Sequence, residues 1–142
     1  IQSVKDMNNK VLGAQAGSSG YLDFEGQPEL LKNRVKDQKA NQYQSFNEAL
    51  IDLKNDRIDA LVIDRVYANY YLQSEGILND YNVFSAGFES ESFAVGVRQA
   101  DKRLLQVLNQ AFVQLYQEGK FQEISQKWFG EDVATKEVKS RD

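Results

Sequence analysis

The sequence predicts an α/β fold with a mainly parallel sheet, because strand-like apolar runs alternate with helical segments. Val11–Ala14 is an apolar run of strand length, and Ile58–Ile63 is nearly continuous apart from Asp59. A helix precedes the second run, and its apolar positions repeat at helical spacing: Phe46, Ala49, Leu50 and Leu53. This alternation is typical of a parallel sheet covered by helices, in which central strands are buried on both faces.

The composition is typical of a globular protein and excludes several classes of function. The chain has 142 residues, of which 42% are hydrophobic and 27% charged, enough to form one good core. It has no Cys and no His, which excludes thiol nucleophiles, Ser-His catalysis and the usual zinc ligands. The net charge of −4 argues against a nucleic-acid partner. We expect no catalytic residues, no metal and no cofactor.

The first ten residues predict a capped helical turn. Ser3 is suited to the N-cap position, and Asp6 follows at the spacing of a capping box. The chain begins at Ile1 without Met, a signal segment or a lipid-attachment Cys, so we expect an excised fragment of a longer protein.

A cluster of small residues follows the first strand and is the first candidate site. After Gln15, the segment Ala-Gly-Ser-Ser-Gly at 16–20 can turn sharply and open a helix. Backbone N–H groups at a helix start, with the hydroxyls of Ser18 and Ser19, can hold a carboxylate or a phosphate. The alternative interpretation is an ordinary surface turn.

Two further helices are predicted before the second strand. Pro28 suits the first position of a helix that carries Leu30, Leu31 and Val35 and ends near Lys36–Lys39. Ser45 and Glu48 form the pattern of a capping box at the start of a helix that runs to Lys54.

Asp64, at the end of the second strand, is the second candidate site. In open parallel sheets, ligands bind beyond the carboxyl ends of the strands, where Ser18, Ser19 and Asp64 all lie. Donors at one strand end and a negative acceptor at the other suit an α-amino acid, which carries a carboxylate and an ammonium. The alternative role for Asp64 is to cap the helix Arg65–Ser74.

The second half of the chain predicts two more strands and two helices. Asp80–Ser85 is expected to be an edge or closing strand, and Phe93–Arg98 an apolar strand. Helices are expected over Lys102–Gln117 and Phe121–Phe129, each followed by a glycine. The last dozen residues are charged and are expected to be loose.

Several stretches in this order resemble the extracellular solute-binding proteins of polar amino-acid ABC transporters. They are Val-Leu-Gly-Ala-Gln-Ala-Gly-Ser-Ser-Gly at 11–20, Tyr-Gln-Ser-Phe-Asn-Glu-Ala-Leu at 43–50, Leu-Lys-Asn-Asp-Arg-Ile-Asp-Ala-Leu-Val-Ile-Asp at 53–64, Phe-Ala-Val-Gly-Val-Arg at 93–98 and Gly-Lys-Phe-Gln-Glu-Ile-Ser-Gln-Lys-Trp-Phe-Gly at 119–130. The resemblance implies the two-lobed type II periplasmic-binding-protein fold. Residues 1–91 would be lobe 2, and residues 92–142 would be the C-terminal strand and helices of lobe 1, with the rest of that lobe absent.

The resemblance also implies roles for individual residues. Ser18 and Ser19 would bind the α-carboxylate of an amino acid, and Asp64 its α-ammonium. Gln15 would be a cleft residue and Gln44 would lie near the position that sets side-chain selectivity, so both are candidate contacts of the ligand. Asp56 departs from the family pattern, which usually has Gly there, so it must adopt or avoid a left-handed conformation.

The implied protein is a non-enzymatic, extracytoplasmic binding component that works with an ABC transporter permease, either in the periplasm or lipid-anchored at the cell surface. A sensor domain of a receptor or kinase is an alternative. A periplasmic dehydratase on the same fold is another, with Asp64 as its only candidate acid or base.

The two C-terminal helices predict an apolar surface that needs a cover. Their apolar residues would otherwise form a patch larger than monomers usually tolerate: Leu104, Leu108, Phe112, Leu115, Phe121, Ile124 and Trp128. We therefore expect a dimer or higher oligomer in which these segments pack together or are exchanged through Ala86–Ser92.

Overall fold

The computed structural model describes residues 1–139, which divide into two compact units. The first unit contains Ile1–Ala68 and Asn79–Glu89. The second contains Asn69–Leu78 and the chain from Ser90. None of the helices in residues 1–139 combines the length and the apolar character needed to cross a membrane.

The first unit is built on a parallel sheet of three strands, which confirms the predicted fold class. The strands are β1 (Leu12–Gln15), β2 (Ala40–Tyr43) and β3 (Ala60–Val62), in the order β2-β1-β3. Leu12 lies opposite Ala40 on one side and opposite Ala60 on the other, and both pairings are parallel. The central strand β1 is therefore the one with the buried apolar run.

Three helices follow the three strands in turn. They are α1 (Ser19–Gly26), α2 (Phe46–Lys54) and α3 (Arg65–Ser74). The predicted cap of α2 is confirmed, because the Ser45 hydroxyl accepts a hydrogen bond from the Glu48 N–H at 3.3 Å. Each strand thus runs into a helix N-terminus at the same edge of the sheet.

The core of the first unit lies beneath α1 and β1. Its buried side chains come from the N-terminal 3-10 turn, from the strand and helix, and from the segment that follows: Met7, Leu12, Phe24, Leu31 and Val35. Ser3 donates its backbone N–H to the Asp6 carboxylate at 3.1 Å, as the predicted capped turn requires.

The predicted helix from Pro28 is wrong. Residues 28–34 form turns, followed by a short 3-10 turn at Lys36–Gln38. The Asn9 N–H donates to the Arg34 carbonyl at 2.8 Å, and the Lys36 N–H donates to the Lys10 carbonyl at 2.9 Å. These backbone groups are engaged outside the segment and cannot continue a helical ladder. Leu31 and Val35 still reach the core, as their apolar pattern indicated.

The two strands predicted in the second half are also absent. Residues 81–98 contain no strand, and the three strands already described form the only sheet within residues 1–139. An isolated extended segment has no partner for its ladder hydrogen bonds and is not a β-strand. Phe93 and Val95 accordingly stay 73% and 56% exposed.

The second unit is helical. Its longest helices are α4 (Lys102–Gln117) and α5 (Lys120–Phe129), which match the predicted segments within one residue. The rings of Phe112 and Phe121 meet edge to face at 6.4 Å, so the two helices pack on each other. The segment expected to be loose contains a short helix, α6 (Lys136–Lys139), and residues 140–142 of that segment lie outside the described residues.

Helices α2 and α3 end in the same hydrogen-bond motif but with different residues. After α3, the Ile77 N–H donates to the Leu72 carbonyl at 3.0 Å, and Gly76 has φ of 69°. After α2, the Arg57 N–H donates to the Asp52 carbonyl at 2.9 Å, and Asp56 has φ of 56°. Both are Schellman caps, so Asp56 does adopt the left-handed conformation that glycine adopts most easily.

Candidate functional site

The candidate site lies at the carboxyl edge of the sheet, where all three strands end. Gln15 ends β1 and Tyr43 ends β2, and these residues are partners in the parallel register. Asp64 lies two residues beyond the end of β3. The residues singled out from the sequence therefore share one edge of the first unit, as the topology predicted.

The loop from β1 to α1 presents hydrogen-bond donors at a helix N-terminus. Ser18 is the N-cap of α1, and its hydroxyl accepts from the Tyr21 N–H at 3.2 Å. Gly17 has φ of 71°, and a Cβ at that position would meet no atom within 4 Å. Of the N–H groups in the first turn, that of Tyr21 is therefore capped, and helix geometry leaves those of Ser19 and Gly20 without intrahelical acceptors.

The two serines differ in how they use their hydroxyls. The Ser18 hydroxyl donates to the Gln15 carbonyl at 2.9 Å, so its hydrogen is already engaged within the loop. Ser19 is exposed and lies in the first turn of α1. An anion at this position would thus be bound by backbone N–H groups and by the Ser19 hydroxyl, while Ser18 holds the shape of the loop.

Gln15 and Gln44 lie together at the site edge, where they form a hydrogen bond with each other. The side-chain amide of Gln15 donates to the main-chain carbonyl of Gln44 at 3.3 Å. The Gln44 N–H in turn donates to the Glu48 carboxylate at 3.1 Å. The β1–α1 and β2–α2 loops are therefore tied to one another at the edge of the site.

Asp64 is half-buried and fulfils the capping role considered from the sequence. Its Oδ1 accepts from the Tyr67 N–H at 2.8 Å, at the start of α3. Its Oδ2 has no hydrogen bond to any of residues 1–139. One carboxylate oxygen is thus used by the helix, and the other is available to a cationic group.

Two aromatic residues near the site were not predicted from the sequence as site residues. The rings of Phe46 and Tyr67 lie 5.1 Å apart, and the Tyr67 hydroxyl donates to Asn47 Oδ1 at 3.3 Å. Phe46 is the first residue of α2, two positions after Gln44, and Tyr67 is the third residue of α3, three positions after Asp64. This closeness in sequence to the candidate site residues is the signal that could have identified them. They connect the β2–α2 and β3–α3 corners of the site.

No metal centre is indicated at this edge. Within residues 1–139, no group of three or more acidic residues is arranged to hold a metal ion. The chemistry available is hydrogen-bond donation at the start of α1 and negative charge at Asp64. This combination suits a small polar molecule that carries a negative and a positive group.

Residues 8–131 match the family model of the bacterial extracellular solute-binding proteins, family 3. Among curated proteins, the chain is 30% identical over 128 residues to the ABC transporter arginine-binding protein 1 of Escherichia coli (strain K12). The alignment covers 87% of this chain and 49% of that protein. The chain spans about half the length of the curated relatives it matches.

Two solved structures from streptococci are more similar. One is a polar amino acid ABC uptake transporter substrate-binding protein from Streptococcus thermophilus, with 60% identity and a TM-score of 0.83. The match covers 98% of this chain and 53% of that one. The other is an ABC uptake transporter substrate-binding protein from Streptococcus pneumoniae with bound histidine, with 70% identity and a TM-score of 0.75. The coverage there is 96% of this chain and 55% of that one.

Proposed function

The chain belongs to the bacterial extracellular solute-binding proteins of family 3, and from this premise we propose that it is part of the substrate-binding component of an amino-acid ABC transporter. Its ligand is a polar L-amino acid, which it binds without chemical change. Residues 1–91 form lobe 2, and residues 92–142 belong to lobe 1. The protein acts outside the cytoplasm, in the periplasm or lipid-anchored at the cell surface, and delivers its ligand to a membrane permease.

The observation that supports this proposal most strongly is the pairing of opposite polarities at one sheet edge. The start of α1 offers N–H donors beside Ser18 and Ser19, while Asp64 offers a carboxylate oxygen that no described residue uses. An α-carboxylate suits the first group and an α-ammonium suits the second. Every α-amino acid carries both, so this pairing accounts for the class of ligand and not for its side chain.

Histidine is the first ligand to test. The streptococcal relative with bound histidine is 70% identical to this chain, which makes histidine a better-supported choice than other amino acids. Gln15 and Gln44 are the candidate contacts for the ligand side chain, as amides suit a polar group.

The test is a titration of the 142-residue chain with L-histidine, followed by amide chemical shifts in two-dimensional NMR spectra. We expect shifts at Ser18, Ser19 and Gly20, and at Tyr67, whose N–H is bound to Asp64. The Asp64→Asn variant removes the negative charge but can still cap α3. It should weaken binding by about 10- to 100-fold, the range for a hydrogen bond between charged groups.

The matched control is Asp37→Asn, which makes the same charge change at an exposed position of the first unit. It should leave the titration unchanged, and Asn tolerates the left-handed conformation found there. Equal affinities of the wild-type and Asp64→Asn chains would limit Asp64 to its capping role. If none of the proteinogenic amino acids or cystine causes shifts at the sheet edge, the proposal is wrong for this chain.

We also propose that a second copy of the chain covers the exposed apolar surface of the second unit. Leu104, Val107, Ile124 and Trp128 are between 46% and 53% exposed. The patch is smaller than the sequence indicated, because α4 and α5 pack on each other and half-bury Phe112, Leu115 and Phe121. Complete burial of an exposed apolar side chain contributes roughly 1.5–3 kcal/mol, and about half of this remains to be gained here, which favours association by packing or by exchange through Ala86–Ser92.

Analytical ultracentrifugation at micromolar concentration tests this assembly. We expect a dimer or larger species that Val107→Glu dissociates, whereas Gln106→Glu, on the neighbouring exposed position, does not. A monomer across the whole concentration range would contradict the proposal.

A further inference from the structure

Tyr43, which the binding roles above do not include, connects the site edge to the far end of α2. Its hydroxyl donates to Asp52 Oδ2 at 2.9 Å, and the Arg57 guanidinium donates to Asp52 Oδ1 at the same distance. Burial and then the hydrogen bond to Asp52 raise the pKa of the Tyr43 phenol. Asp52 is therefore held from both sides, and Tyr43 is fixed to the last turn of a helix rather than to a loop.

The main chain of Tyr43 holds the donor loop. The Tyr43 carbonyl accepts from the Ala16 N–H at 2.8 Å, directly after β1 ends. The next residue adds a second tie, because the Gln44 carbonyl accepts from the Gln15 side chain at 3.3 Å. Gln15 and Ala16 directly precede the turn that leads to Ser18 and Ser19. The position of the Tyr43 backbone therefore sets where this turn begins.

The ring of Tyr43 is also confined on its other side. A Cβ on Gly13 would come within 3.1 Å of Tyr43 Cε2, so the ring lies close over the backbone of β1. The side chain is held by a hydrogen bond at its tip and by packing along its ring. Few rotamers satisfy both contacts, which makes Tyr43 a rigid link between α2 and β1.

We infer that Tyr43 is a positioning residue for the β1–α1 loop, and that its link to Asp52 keeps the Ala16–Ser19 donors in the geometry that receives an anionic group. Its consequence for ligand affinity rests on the proposed function. The positioning itself does not, because it concerns hydrogen bonds within the first unit.

The first experiment measures amide hydrogen exchange in the Tyr43→Phe variant, which removes the hydroxyl and keeps the ring. The Ala16 N–H should exchange about threefold to tenfold faster than in the wild-type chain, the range expected for one lost hydrogen bond. The Asp59 N–H is the internal reference, since it donates to the Val11 carbonyl at 2.8 Å at the opposite end of β1. Its exchange should not change.

Two other variants separate positioning from general stability. Tyr81→Phe is the matched control, because Tyr81 is half-buried in the same unit and its hydroxyl makes no hydrogen bond within residues 1–139. It should alter the exchange rate of neither the Ala16 nor the Asp59 N–H. Asp52→Asn can still accept from the Tyr43 hydroxyl, so it should protect the Ala16 N–H better than Asp52→Ala does.

The second experiment repeats the L-histidine titration with Tyr43→Phe. We expect affinity to fall by about threefold to tenfold, with the Asp64 cap intact as reported by Tyr67. Unchanged Ala16 exchange in Tyr43→Phe, or equal acceleration at Ala16 and Asp59, would overturn the inference. If the wild-type chain does not respond to histidine, the proposed ligand is wrong, and amide exchange alone decides the role of Tyr43.

Discussion

The two units of the chain bury their apolar residues to very different degrees. Every buried hydrophobic residue among residues 1–139 belongs to the first unit, except Leu72. Helix α4 has no buried residue, and α5 has one, Ser125. The sequences of both regions have strong amphipathic patterns. A pattern alone thus shows which face of a helix is apolar, but not whether the same chain provides a cover for it.

The largest effect is expected when a core side chain is compared with an exposed aromatic one. Phe24 is fully buried, whereas Trp128 is 46% exposed and contacts Tyr70 at a ring distance of 6.2 Å. Phe24→Ala should lower the free energy of unfolding by about 3–5 kcal/mol, because it leaves a cavity. Trp128→Ala should cost about 1 kcal/mol, mainly the ring contact.

Urea denaturation followed by circular dichroism measures both values, at protein concentrations low enough to avoid association. Similar losses for the two variants would show that the second unit has a core of its own. A loss for Trp128→Ala that grows with protein concentration would show that a second copy covers it.

The helix caps provide a comparison in which the expected change in the free energy of unfolding is intermediate. Asp56 in the first unit and Gly76 in the second occupy the same left-handed position of a Schellman cap. Asp56→Gly should raise the free energy of unfolding by about 0.5–1 kcal/mol, because glycine adopts this conformation without strain. Gly76→Asp should lower it by a similar amount. If both substitutions have the same sign, conformational strain at these positions is not the controlling factor.

The smallest expected effect is a pH dependence that differs between two carboxylates. The Arg57 guanidinium, and then the Tyr43 hydroxyl, lower the pKa of Asp52 below its ordinary value of 3.8. The Ala134 N–H, with smaller contributions from Lys139 and Tyr116, lowers the pKa of Asp132. A carboxyl group whose pKa is lowered in the folded state stabilises the protein at pH values above its ordinary pKa. This stabilisation is lost as the pH falls through the folded-state pKa.

We therefore expect stability to decrease below about pH 4, with each carboxylate contributing in its own unit. Asp52→Asn should flatten the acid side of the unfolding profile of the first unit, and Asp132→Asn that of the second. The sheet signal in infrared spectra follows the first unit, and the fluorescence of Trp128, the single tryptophan of the chain, follows the second. An unchanged acid profile in both variants would show that these hydrogen bonds form equally in the unfolded chain.

The elements that the sequence predicted well are those whose signals are local. The capping boxes at Ser3 and Ser45 and the glycines at 119 and 130 mark helix ends through neighbouring residues alone. The segment from Pro28 had an equally helical pattern, but distant partners at Asn9 and Lys10 engage its backbone. Phe93–Arg98 had a strand pattern but no neighbouring strand. Pairing over long distances is not visible in local sequence.

The candidate site was predictable in place but not in detail. Residues at the ends of parallel strands share one edge, so the sequence placed Ser18, Ser19 and Asp64 together. It did not indicate that the hydroxyl of Ser18 is engaged by Gln15, or that Gln15 is engaged by Gln44. It gave Tyr43 no role of its own, because the Asp52 partner lies on another element.

The register of the parallel sheet also determines how quickly each region can form. Leu12 must find Ala40 and Ala60, which requires closing chain loops of about 30 and about 50 residues. Helices α4 and α5 meet across a single glycine-containing turn, and contacts so close in sequence form in microseconds. Parallel pairing is slower because its entropic cost precedes any stabilising contact. We therefore expect the sheet edge that carries the candidate site to form after the α4–α5 pair.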